Sequence, residues 1–213
     1  LGVRVGYRTR VGSTDAAGIG ALAARLLRDA DGCEIAPGLT DAELDGVERQ
    51  YGIEFADDHR AFLAAGLPVN TRPEKSEPGV VRAFPAPWPD WRHGDPADLR
   101  ERLTRPVDGV LFDVEHNGLW LPGWGERPGM TAAALDTARR HLARIPTMIP
   151  VYGHRYLPGG HGTSGHPVLS VHQSDVICYG ADLPDYIRHE FGNLVGSPVL
   201  DAHVTVPFWR DLL

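Results

Sequence analysis

Lysine is almost missing from this chain of 213 residues: Lys75 is the one lysine among 21 basic residues, the rest being arginine. Cysteine is nearly as scarce. Cys33 and Cys178 stand far apart, so they form neither a metal-spaced pair nor a disulfide framework, and a reduced, cytoplasmic setting is expected. No apolar run reaches the ~18 residues of a membrane span. Leu1 to Ala30 lack the basic-then-apolar order of a secretory signal. Internal repeats and a phosphate-cradling P-loop are also missing. The net charge of −7 disfavours nucleic acid as a direct ligand.

Glycine and proline, by contrast, are plentiful at 25 and 18 residues, which implies many turns and long loops. Hydrophobic residues at 42% and charged residues at 23% are ordinary for a folded protein and exclude global disorder. The length suits one domain. Charge is unevenly spread. Asp29 to Asp58 holds ten acids against one base, Arg49. Such a block suits a basic partner, and it is equally what a solvated helix face looks like.

Val3, Val5 and Tyr7 alternate as a weak strand would. Residues 15–29 read as a helix with Ile19, Leu22, Leu26 and Leu27 on one face. Gly18 to Ala23 fits the G-x-G-x-x-A form of a dinucleotide fingerprint, but without the flanking strands it is read as an ordinary helix start. Thr40-Asp41-Ala42-Glu43 is a capping box, and Gly52 ends the helix it opens. Asp41, Asp45 and Glu48 form an acidic stripe beside the apolar Leu44, Val47 and Tyr51. Asp57 or Asp58 is expected to cap a second helix that carries His59, Phe62 and Leu63 and stops at Gly66. His59 reads as a packed core histidine. Residues 70–90 read as a proline-broken loop pinned by Trp88 and Trp91.

Further on, Leu99 to Leu103 suggests a short helix and Gly109 to Glu115 a strand, with Phe112 and Val114 on one face and Asp113 and Glu115 on the other. Residues 131–144 read as a helix. Met148 to Tyr152 reads as a strand, and Pro167–Val171 and Val176–Tyr179 as a hairpin turning at Gln173-Ser174-Asp175. Asp182 starts a last helix, and the apolar tail Val204 to Trp209 is expected to dock on the fold. Helices followed by strands joined through turns favour an α+β single domain. Its central sheet is expected to be mainly antiparallel, with helices packed largely on one side.

The tests for catalysis return little. His154, His161, His166 and His172 fall close together, but their spacing fits no zinc signature. His189-Glu190-Phe191-Gly192-Asn193 has Asn where a second zinc-binding His would stand. Gly162 to His166 lacks the final Gly of a nucleophile elbow. The chain is therefore read as having no catalytic residues, no metal and no cofactor.

Leu39 to Val69, LTDAELDGVERQYGIEFADDHRAFLAAGLPV, resembles the N-terminal signature of the SUKH superfamily (Smi/Knr-type), with Ala56 where that signature usually has Pro. The segments FPAPWPDWRHGD, GVLFDVEHNGLWLPGWGERP, IPVYGHRYLP and HPVLSVHQSDVICYGADLPDYIRHEF are similar to bacterial immunity-protein members of that family. The resemblance spans residues 39–191. It implies a domain over 39–213 preceded by a one-helix extension over 1–38. It further implies a cytoplasmic protein that binds a protein partner without catalysis, a basic nuclease-type toxin being the favoured case, with no membrane and no direct nucleic-acid contact. Two other readings stand beside it: a regulatory interaction module with no toxin partner, and a metal-dependent hydrolase using His154, His166 or His172. Partner-binding candidates are Asp41, Asp45, Glu48, Asp57 and Asp58, with Trp120 and Trp124 as aromatic anchors.

Overall fold

Strands β3 (Met148–Tyr152), β4 (Arg155–Pro158), β5 (Val168–His172) and β6 (Asp175–Gly180) form an antiparallel sheet in sequential order. They belong to a computed structural model that describes residues 13–31, 33–70, 87–192 and 206–213. The expected hairpin is β5–β6, whose register pairs His172 with Asp175 across a two-residue turn at Gln173-Ser174. The helices are α1 (Ser13–Asp29), α2 (Asp41–Tyr51), α3 (Asp57–Ala65), α4 (Pro96–His116), α5 (Thr131–Leu142) and α6 (Leu183–Phe191). Two three-residue strands, β1 (Glu34–Ala36) and β2 (Leu67–Val69), pair antiparallel apart from the main sheet. The chain is an α+β fold. The expected strand at Val3 to Tyr7 lies outside the described residues.

Side-chain alternation sends the two faces of the sheet into different cores. Ile149, Val151, Leu157 and Val168 join a cluster with Ala23, Leu27, Leu44, Phe62 and Tyr186 from α1, α2, α3 and α6. Met148, Tyr156, Leu169, Val171 and Val176 join a second cluster with Val110 and Val114 of α4, Ala134 and Ala138 of α5, and Val206 and Trp209 of the tail. Four helices thus share one face, as expected, while α5 and the second half of α4 cover the other. Burial on both faces explains why these strands read as nearly continuous apolar runs. The described part of the tail, from Val206, docks as expected: Trp209 is fully buried.

The main correction concerns α4. Gly109 to Glu115 is not a strand but the second half of a 21-residue helix. Val110 and Val114 are one helical turn apart and both buried, whereas Phe112 is 46% exposed. Asp113 is buried and Glu115 exposed, so the two carboxylates share no face. Asp95 caps the helix, accepting from the amides of Ala97 at 2.7 Å and Asp98 at 3.2 Å. Pro106 sits inside α4 without ending it. A proline there leaves the carbonyl four residues back without its helical donor, and that carbonyl, of Arg102, lies 3.4 Å from the Tyr156 hydroxyl. Asp113 then ties α4 to the β5–β6 turn by accepting from the Ser174 amide at 2.8 Å and from its hydroxyl. Burial opposes charge on Asp113, but the Ser174 and Asn117 donors outweigh it and hold the carboxyl below its usual range.

The capping box is present: Thr40 Oγ1 accepts from the Glu43 amide at 3.3 Å, and Glu43 Oε2 accepts from the Thr40 amide at 2.7 Å. Gly52 closes α2 at φ 65°, in the left-handed region. Arg92 donates to Glu43 at 2.7 Å and to the carbonyls of Pro37 and Gly38 at 3.0 Å, binding the entry of α2 to the segment after Trp91. Its guanidinium, together with Thr40, draws the Glu43 carboxyl down to about 2. At α3 the cap is Ala56; Asp57 and Asp58 fall in the first turn instead. His59 is buried between Phe55 and Phe62, and burial pushes its imidazole down to about 3, so it is a neutral core histidine. Trp88 stacks on Phe191, and Trp91 meets Phe55 edge-on.

Gly18 and Gly20, which carried the fingerprint-like motif, lie inside α1. A Cβ on Gly20 would stand 2.5 Å from the Asp58 carbonyl and 2.6 Å from the Ala61 Cβ, whereas one on Gly18 would meet nothing. Gly20 is therefore the contact that seats α1 against α3. Gly20→Ala should destabilise the chain by about 1–3 kcal/mol through overpacking. Gly18→Ala should be neutral or stabilising by about 0.5–1 kcal/mol through helix propensity. Urea denaturation of the two variants measures the contrast.

Candidate functional site: the acidic face of the second and third helices

The acidic stripe converges on one cation. Arg60, one turn into α3, reaches back across α2. Its guanidinium stands 2.7 Å from Asp45, 2.8 Å from Glu48 and 3.5 Å from Asp41. The three acids differ in exposure. The Asp41 side chain is 93% exposed and that of Asp45 51%, while that of Glu48 is only 9%. Glu48 is an interior acceptor. Its Oε2 takes Arg60, and its Oε1 takes the Phe55 amide at 2.9 Å and lies 2.9 Å from His161 Nε2. A buried carboxylate persists when each oxygen has donors, and here each has.

Asp57 and Asp58 are turned to the glycine-rich loop between β4 and β5. Asp57 Oδ1 accepts from the Gly162 amide at 3.0 Å, and its own amide donates to the Thr163 carbonyl at 2.8 Å. Asp58 is fully buried. It accepts from the amides of Gly165 at 2.8 Å and His59 at 2.9 Å. Burial raises its carboxyl above the usual range in spite of those two donors. Glu54, in the link between the helices, adds a 3.3 Å contact from the His161 amide and accepts the Gly160 amide at its carbonyl, 2.9 Å away.

The structure thus gathers Asp41, Asp45 and Glu48 on Arg60, turns Asp57 and Asp58 to the loop, and separates the five by duty. Glu48 and Asp58 are internal, Asp57 is half-buried, and Asp41 and Asp45 face solvent. Arg60 and His161 complete the cluster and were not singled out for it from sequence. The two tryptophans pack into the second cluster. Trp124 lies between His141 and Phe208 with 8% of its surface exposed. Trp120, half-buried, donates from Nε1 to the Gly125 carbonyl at 2.8 Å and carries Arg127 over its ring.

The remaining histidines are dispersed. His154 touches Arg155, and burial, followed by that guanidinium, lowers its imidazole to about 4. It shares a cleft of about 390 Å³ with His172, Arg105, Asp108 and Gln173. Burial lowers His166 as well. A second cleft, of about 420 Å³, is lined by Tyr51, Ile53, Leu103 and Met148 together with Asp108 and Arg139. Among the described residues no three His, Cys, Asp or Glu side chains are grouped to hold a metal ion, and no helix is long and apolar enough to cross a membrane. Compared with known proteins, the chain matches no family model, no curated protein and no solved structure.

Removing Arg60 leaves Glu48 buried with one partner fewer. Arg60→Met should therefore cost about 1–3 kcal/mol. Asp41→Asn, at the exposed end of the same cluster, should cost no more than about 0.5 kcal/mol. Chemical denaturation at neutral pH distinguishes the two.

Proposed function

We propose that this chain is a cytoplasmic, non-catalytic binding domain that neutralises a basic, nuclease-type toxin by occluding it, docking through the exposed acids of α2. The resemblance to SUKH immunity proteins belongs to the same proposal. The observation that carries it is the division of labour among the acids: Asp41 and Asp45 project from a doubly capped helix, held in place from behind by Arg60. Charges presented on a rigid element raise association rates with an oppositely charged partner, and they do so most at low salt. Nucleases are basic where they grip phosphate, so their binding groove suits such a face. Glu48 and Asp58 act behind the face and set its shape.

The proposal expects a toxin gene beside this chain's own, and the product of that gene is the test. Co-expression of the intact chain should restore growth, and the purified pair should bind with a salt-sensitive association rate. Asp41→Lys combined with Asp45→Lys should slow association about ten-fold or more at low salt while leaving the thermal midpoint nearly unchanged. A neighbouring toxin that binds the chain no more tightly than an unrelated acidic protein would remove the immunity reading and leave a regulatory interaction module in its place.

A further inference from the structure

The loop from Gly159 to Gly165 has four glycines in seven residues, and Gly160, Gly162 and Gly165 all have positive φ. A segment this glycine-rich has much conformational freedom to regain on release. Polar contacts tie it to α2, α3 and the link between them. Four are made by loop amides: Gly160 and His161 to Glu54, Gly162 to Asp57, and Gly165 to Asp58. A fifth runs from the Asp57 amide to the Thr163 carbonyl. The sixth runs through a titrating side chain, His161 Nε2 to Glu48 Oε1 at 2.9 Å.

The groups around that imidazole come from three elements. Glu48 stands on α2, Glu54 on the link, and Arg60 on α3. Glu48 and Glu54 favour a proton on His161; Arg60 opposes it. Glu48 itself cannot turn away cheaply, because its position also serves Phe55 and Arg60.

We propose that the loop of residues 159–165 is a proton-operated strap: protonated His161 holds it closed on Glu48, and loss of that proton loosens it from α2 and α3. The hydrogen bond to Glu48 is the largest influence on the imidazole and raises its affinity for a proton above the ordinary histidine value. The sign follows. The contact contributes in full below about pH 6.5, where a free histidine is charged, and its contribution is lost as pH rises through the raised value in the folded chain. Neutral imidazole still offers an N–H, so the strap is weakened and not severed. Loosening uncovers Asp57 and Glu48 and makes the α2 face more acidic, a consequence that holds whatever binds there.

The test is an NMR titration of the full chain from about pH 5.5 to about pH 9, a range above the ordinary carboxylate values and across histidine. The His161 ring should titrate with a midpoint above that of an ordinary histidine. The amides of Gly162, Thr163 and Gly165 should shift with the same midpoint, and their exchange protection should fall about two- to five-fold across it, as suits a pair of which only the imidazole side is exposed. His161→Gln keeps an N–H for Glu48 but cannot titrate, so its loop amides should show no such midpoint. A His161 midpoint at or below the ordinary value, loop amides that ignore it, or an unchanged profile in His161→Gln would each overturn the proposal. The wild-type titration alone decides the first two, so the conclusion survives a variant that fails to fold.

Discussion

A carboxylate taken out of water must find donors for both oxygens, and Glu48 is where that requirement shapes this protein. Its three donors come from three places in the chain: the amide of Phe55 in the link before α3, the guanidinium of Arg60 within α3, and the imidazole of His161 more than a hundred residues away. Satisfying one side chain therefore fixes the turn between two helices, their angle, and the seat of a distant loop. Asp58 repeats the device with the Gly165 amide. Removing any one donor leaves charge stranded at the junction, which is why the cluster is costlier to break than its surface ion pairs suggest.

What could be read from sequence was local. The capping box, the Gly52 stop, the β5–β6 turn and the Asp182 cap each involve residues within a few positions of one another, and all are present. His59 was legible because it shares a helical face with Phe62 and Leu63. The failures have physical reasons too. The run Gly109 to Glu115 is apolar at both helical and strand spacing, and Pro106 stands between it and the short helix expected over Leu99 to Leu103. What decides for helix is packing against α5 and the β5–β6 turn, contacts the local pattern does not contain. Strands β1 and β2 are three residues each, too short for alternation to show.

The site was legible in the same partial way. Spacing put Asp41, Asp45 and Glu48 on one stripe, and the stripe exists. Spacing could not show that Arg60, twelve residues beyond Glu48, sits at its centre, because that depends on how α3 folds back on α2. Nor could it show which acids are spent inside. Periodicity marks a face; burial depends on what lies opposite, here a loop whose glycines bring their amides close to the carboxylates.

That distinction bears on function more than the total charge does. Of the ten acids between Asp29 and Asp58, Glu43, Glu48, Asp57 and Asp58 are engaged in caps and contacts that hold the fold together. They add little field at the surface, because their charge is met by donors at hydrogen-bond distance. Asp41 and Asp45 share one guanidinium with Glu48, so the group is left with two net negative charges, and the exposed share of them sits on Asp41 and Asp45. The internal acids give the face its rigidity, and under the proposed binding role that rigidity would let two charges act as a recognition element instead of a diffuse cloud. A partner reading this face would meet a helix whose cap and neighbouring loop are held by acids already engaged within the fold.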